Sequence, residues 1–100
     1  MTQQTMFLKN TETFAESLAR CGVKFHFAYP ITPATDVMKR MAVILPQYGG
    51  KMLQMESELA VSSALAGAAC TGMLCATSSS GPGMTLMQEA ISFMCGAELP

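Results

Sequence analysis

The chain has 100 residues, half of them hydrophobic and only 13% charged, with a formal net charge of −1. That much apolar surface excludes a disordered chain, and the charge balance excludes the basic face of a nucleic-acid binder. Four cysteines at 21, 70, 75 and 95 lack the density and spacing of a disulfide scaffold. With ten methionines and no signal-like N-terminus, they point to a reducing cytoplasm.

Charge is spread unevenly. Residues 1–51 hold all six Lys and Arg, for a balance of +3, whereas residues 52–100 hold only Glu56, Glu58, Glu89 and Glu98, for a balance of −4. Half a chain without a cation is core, is covered by another chain, or lies in a membrane. Leu59–Met87 carries no charged side chain and is long enough to span a bilayer. Thr71-Gly72 and Ser78–Gly83 would break such a helix in mid-bilayer, with nothing to satisfy its backbone. Burial inside protein is the expectation.

No internal repeat or low-complexity linker interrupts the chain, so one unit is expected. Thr11–Cys21 reads as a helix, with Phe14, Leu18 and Cys21 on one stripe and Thr13 with Glu16 as a capping box. Gly22 stands where a C-terminal glycine belongs. Val23–Ala28 alternates as a strand. Tyr29–Pro33 is irregular, and Thr32-Pro33 reads as the N-cap and first position of a helix running to Leu45, before Pro46 and the Gly49-Gly50 turn. Lys51–Met55 is a second strand.

Ser57 can cap a helix to about Cys70. Its small residues (Ala60, Ala64, Ala68; Ser63, Gly67, Thr71) and missing charged face predict burial all round. Met73–Thr77 is a third strand, Ser78–Gly83 a glycine-rich loop, and Thr85–Cys95 a last helix with Met87, Ala90, Ile91 and Met94 on its apolar stripe. This alternation predicts a three-layer α/β fold, a parallel sheet with helices on both faces. Ligands of such sheets bind at the carboxyl ends of the strands, here Tyr29–Thr32, Glu56–Glu58 and Ser78–Gly83. Glu98-Leu99-Pro100 stands where a further strand is expected to begin, so we expect a truncated piece of a longer polypeptide.

Two readings of Glu58 stand side by side. It is a solvated first-turn acid that favours the helix dipole, or, if the helix entrance is buried, a carboxyl in need of a specific partner or a raised pKa. Glu56 reads as a surface acid. Ser78–Gly83 has the form of an anion cradle at a helix N-terminus, but matches no P-loop, GxGxxG or GxSxG pattern. His26, the single histidine, reads as a sheet-face residue. Cys70 and Cys75 lack the following cysteine of an iron–sulfur spacing and read as core, while Cys21 and Cys95 fit the apolar sides of their helices. No metal ligands are expected.

Taken in order, Tyr29-Pro30-Ile31-Thr32-Pro33, Gln54-Met55-Glu56-Ser57-Glu58, Thr77-Ser78-Ser79-Ser80-Gly81-Pro82-Gly83, Leu86-Met87-Gln88-Glu89 and Gly96-Ala97-Glu98-Leu99-Pro100 resemble the N-terminal part of the alpha subunit of 2-oxoacid:ferredoxin oxidoreductases. The resemblance starts near Thr11, and the Glu-Ser-Glu and triple-serine segments look closest to the branched-chain (2-oxoisovalerate) type. Where the family often has an arginine before the Thr-Ser segment, this sequence has Leu74.

The resemblance implies that residues 1–100 are the N-terminal part of a pyrimidine-binding domain of the thiamine diphosphate fold. It also implies Mg2+ and the diphosphate on a beta subunit, iron–sulfur clusters on ferredoxin-like subunits, and coenzyme A as acyl acceptor. Glu58 matches the glutamate that hydrogen-bonds the aminopyrimidine and so promotes removal of the thiazolium C2 proton. Thr32 matches the threonine beside substrate. Tyr29, Pro30, Ile31, Ser80 and Gly81 fall on the segments that line the cofactor. Two rivals differ in class. One is a non-oxidative thiamine enzyme resembling acetolactate synthase, against which Tyr29–Pro33 argues; the other is an anion-binding scaffold built on Ser78–Gly83.

Overall fold

The computed structural model describes Lys9–Thr32 and Ala34–Leu99. Helix α1 spans Asn10–Arg20 and ends in a glycine motif: Gly22, at φ +100°, donates to Ala19 O and Val23 donates to Leu18 O, both at 3.2 Å. Its start differs from the expected capping box. Lys9 is the N-cap, and its N–H donates to Glu12 Oε1 at 3.2 Å, where Thr13 and Glu16 were expected. Glu16 instead pairs with Arg40 at 3.3 Å and Arg20 at 3.8 Å, tying α1 to the next helix. The buried stripe is also rotated, to Ala15 and Ala19, leaving Phe14 and Cys21 exposed. Two alanines let α1 sit closer to its neighbour than Phe14 would.

Strand β1 (Phe25–Ala28) leads through Tyr29–Thr32 to α2 (Thr35–Ile44), which passes into a 3-10 turn over Leu45–Tyr48 containing Pro46. The N-cap of α2 is Ala34, with no side-chain cap bond, and Thr32 lies in the preceding turn. The expected Thr32 cap is thus corrected; Pro33 lies outside the described residues. Strand β2 is Lys51–Gln54. Helix α3 (Glu58–Ala69) begins as expected: Ser57 is its N-cap, and its Oγ accepts from Ala60 N–H at 3.2 Å. Strand β3 shrinks to Cys75–Ala76, and α4 runs Gly81–Gly96. Gly81-Pro82-Gly83 is therefore the first turn of a helix, with Ser80 as N-cap; proline is well suited to such a start, having no N–H to leave unpaired.

The sheet is three-stranded and parallel, in the order β2-β1-β3, with Phe25 opposite Lys51 and Cys75. Its α1/α2 face carries Val23, Val37, Met41, Ile44 and Leu45; the α3/α4 face carries Phe27, Val61 and Met87. Phe25 and Phe27 point to the same side and stack at 5.8 Å. His26 points to the other, level with Met52 and Ala76. The expected burial of α3 all round is not observed. Leu59 is 56% exposed, and an open groove of about 530 Å³ separates its outer side from Phe93 of α4, itself 67% exposed. On α4, Met87 is buried but Ile91 lies open. No described helix is long and apolar enough to cross a membrane.

Candidate functional site

Parallel strands bring their carboxyl ends to one edge, and the N-termini of α2, α3 and α4 arrive at the same edge. A backbone bond from Met55 N–H to Ala28 O at 2.8 Å carries the β1–β2 pairing into this rim. It anchors the Tyr29–Thr32 and Glu56–Glu58 segments side by side. Tyr29 and Thr32 are exposed, while Pro30 and Ile31 are half-buried; Ile31 O accepts from Thr35 N–H at 3.0 Å.

Glu58 occupies the first turn of α3. Its side chain folds inward to 9% exposure, whereas Glu56 is exposed. The helix dipole favours an acid there, and the low exposure of the residue departs from a fully solvated first-turn acid. Among the described residues its carboxylate takes no hydrogen bond. The hydroxyls nearby are differently committed. Ser57 is engaged with Ala60 N–H, and Ser62, also buried, donates to Leu59 O at 2.8 Å. Ser78 and Ser79 both have buried Oγ atoms without a partner among the described residues.

Gly83 joins the two helix heads. A Cβ placed on it would overlap Ser79 Oγ and come within 3.1 Å of Glu58 Cγ. The absent side chain lets the first turn of α4 close over Glu58 and Ser79. Structure thus brings Glu58, Ser79 and Gly83 into one cluster. Ser80 and Gly81 flank it at the start of α4, and Tyr29–Thr32 share its rim without a hydrogen bond to Glu58 among the described residues. The approach of Gly83 to Glu58 and Ser79 was not singled out by sequence; the short Gly-Pro-Gly spacing was its one trace.

Of the other residues singled out, His26 lies on a sheet face as expected, whereas the cysteine expectation changes. His26 is fully buried at 0% exposure, neither ring nitrogen has a partner among the described residues, and burial lowers its pKa to about 4. It is a neutral core residue, remote from any acid–base role at the rim. Cys21, Cys70 and Cys95 are exposed rather than core, and only Cys75 is half-buried, where burial pushes its thiol pKa up. Leu74 lies just before β3, its carbonyl accepting from Lys24 N–H at 2.9 Å, at the end of the sheet opposite the rim. An arginine at this position would start from the wrong end of the strand.

Residues 16–100 match the family described as "Pyruvate flavodoxin/ferredoxin oxidoreductase, thiamine diP-bdg". The chain belongs to this family. It is similar to the ketoisovalerate oxidoreductase subunit VorB of Methanothermobacter marburgensis, at 42% identity over 96% of this chain and 27% of the relative. It is also similar to the 2-oxoglutarate synthase subunit KorA of Methanothermobacter thermautotrophicus, at 37% identity over 94% of this chain and 25% of the relative. Among solved structures, a 2-oxoglutarate:ferredoxin oxidoreductase from Magnetococcus marinus, with 2-oxoglutarate, coenzyme A and succinyl-CoA bound, superposes with a TM-score of 0.68. The match has 42% identity and covers 77% of this chain and 13% of that one. The chain thus spans about a quarter of the length of these curated relatives.

Proposed function

We propose that residues 1–100 form the N-terminal part of a pyrimidine-binding domain in the alpha subunit of a cytoplasmic 2-oxoacid:ferredoxin oxidoreductase. The observation that carries this reading is Glu58: a largely buried residue at the head of α3 whose carboxylate takes no hydrogen bond among the described residues, beside two buried hydroxyls likewise without a partner there. Buried polar groups require partners. An aminopyrimidine, flat and apolar on its faces with donors and acceptors on its edge, fits that set.

In this reading Glu58 exchanges a proton with the pyrimidine ring nitrogen, and Tyr29–Ile31, Ser80 and Gly81 line the ring. Thr32 presents its hydroxyl to the 2-oxoacid. Thiamine diphosphate supplies the acidic thiazolium carbon and the electron sink for decarboxylation. None of the three rim segments contains Lys or Arg, so the diphosphate needs its neutralising charge from elsewhere. We assign that charge, with Mg2+, to a beta subunit facing the rim, and the iron–sulfur clusters to ferredoxin-like subunits. Those clusters would take the electrons released, and coenzyme A would take the acyl group.

The same absence of cations favours a branched-chain 2-oxoacid over 2-oxoglutarate, whose second carboxylate asks for one. The relatives include both types at similar identity, so the rim chemistry carries this choice. The full-length subunit assembled with its partners should reduce ferredoxin fastest with 2-oxoisovalerate. A clear preference for 2-oxoglutarate would overturn the substrate assignment; no thiamine-dependent reduction with any 2-oxoacid would overturn the activity.

A further inference from the structure

The Ser79 hydroxyl is buried and unpaired among the described residues, a condition that is unfavourable when nothing later satisfies it. Such a group in a folded protein points to a partner that arrives with the bound state. Its Oγ and the Glu58 stem both lie against Gly83, the nearest atoms that an added Cβ would meet. Ser79 Oγ overlaps that one point and Glu58 Cγ lies 3.1 Å from it, close enough for the carboxylate that extends beyond Cγ to span the gap. Ser78 is also unpaired, yet it is not among those nearest atoms.

A carboxylate has two oxygens and about four acceptor positions. A pyrimidine ring engages one oxygen and excludes water from the other, and a buried charged oxygen without a donor is unfavourable. Ser62 has already given its proton to Leu59 O, and Ser57 is engaged with the α3 backbone. We propose that Ser79 is a positioning residue whose hydroxyl donates to the Glu58 carboxylate when the rim is filled, fixing that carboxylate against the ring. The proposal rests on the reading of Glu58 given above.

A hydroxyl unpaired among the described residues and paired once the rim is filled separates stability from function. In the full-length subunit assembled with its partners, Ser79→Ala should leave the cofactor-free thermal midpoint unchanged or raise it. Hydrogen–deuterium exchange at C2 of bound thiamine diphosphate should slow about tenfold, the scale of one hydrogen bond to a charged group. Ser79→Thr, which keeps the hydroxyl, should restore exchange. In a Glu58→Ala background, which removes the acceptor, Ser79→Ala should slow exchange no further. A midpoint that falls with Ser79→Ala would make the residue structural and overturn the proposal, as would unchanged exchange or a full additional loss without Glu58. Wild-type exchange in Glu58→Ala itself would overturn the cofactor reading instead.

Discussion

Single residues carry the functional argument, and they differ in how much the sequence revealed. Glu58 and Glu56 were separable from their neighbours: one heads an apolar helix, the other precedes its cap. Burial of the first and exposure of the second follow that division. His26 was less legible, because alternation with Phe25 and Phe27 suits a half-buried strand as well as a central one covered on both faces. Its burial has a pH consequence. The folded state holds its pKa near 4, below the ordinary value of 6.5, because the charged imidazole would lose its water. Above pH 6.5 neither state is protonated and the stability is complete; as pH falls toward 4, the unfolded chain takes up a proton that the folded one does not. Unfolding of the full-length subunit should lose on the order of 3 kcal/mol across that window. His26→Leu should remove most of the slope between pH 6.5 and 5, where ordinary carboxylates remain ionised, and an unchanged slope would show that His26 is not its source.

Elements were legible where a local signal agreed with the packing. Ser57 fixed the start of α3 and Gly22 the end of α1, since both signals are local hydrogen-bond geometry. The start of α4 was misplaced because glycine and proline weigh against a helix interior, whereas here they form its first turn. Exposure of the outer side of α3 was missed for another reason: small residues permit close packing but do not state that anything packs there. Two glycine substitutions in the full-length subunit test this account by their sign. On helix propensity alone, Gly→Ala gains roughly 1 kcal/mol. Gly67 has nothing within 4 Å of an added Cβ, so Gly67→Ala should raise the denaturant midpoint. Gly83→Ala meets Ser79 and Glu58 and should lower stability by about 1–3 kcal/mol despite the propensity gain. A stabilised Gly83→Ala would remove the close approach on which the cluster depends.

At the scale of the molecule, the uneven charge of the two halves becomes a division of surfaces. The cation-free half supplies α3 and α4, whose outer sides present Leu59, Leu86, Ile91 and Phe93 to solvent. Patches of this kind mark surfaces meant to be covered. The parallel sheet was legible from the alternation of strands and helices, and so was the rim where its strands end. The strand order, with β1 between β2 and β3, was not, because nothing local in β3 says on which side of β1 it pairs. Residues 1–100 expressed alone should self-associate or remain partly unfolded in sedimentation at neutral pH. A monodisperse, cooperatively melting monomer would argue that this apolar side needs no partner.

The central claim is that Glu58 moves a proton for thiamine diphosphate. Its most direct measurement is hydrogen–deuterium exchange at C2 of cofactor bound to the assembled protein, compared for wild type, Glu58→Gln and Glu56→Gln. Glutamine keeps the size and a hydrogen bond but cannot exchange the proton, and losing a placed proton-transfer group costs about 10²–10⁴-fold in rate. The account predicts a loss of that order in Glu58→Gln, with cofactor binding weakened far less, and near wild-type exchange in Glu56→Gln. Wild-type exchange in Glu58→Gln would contradict it and leave Glu58 as no more than an acid at the head of a helix.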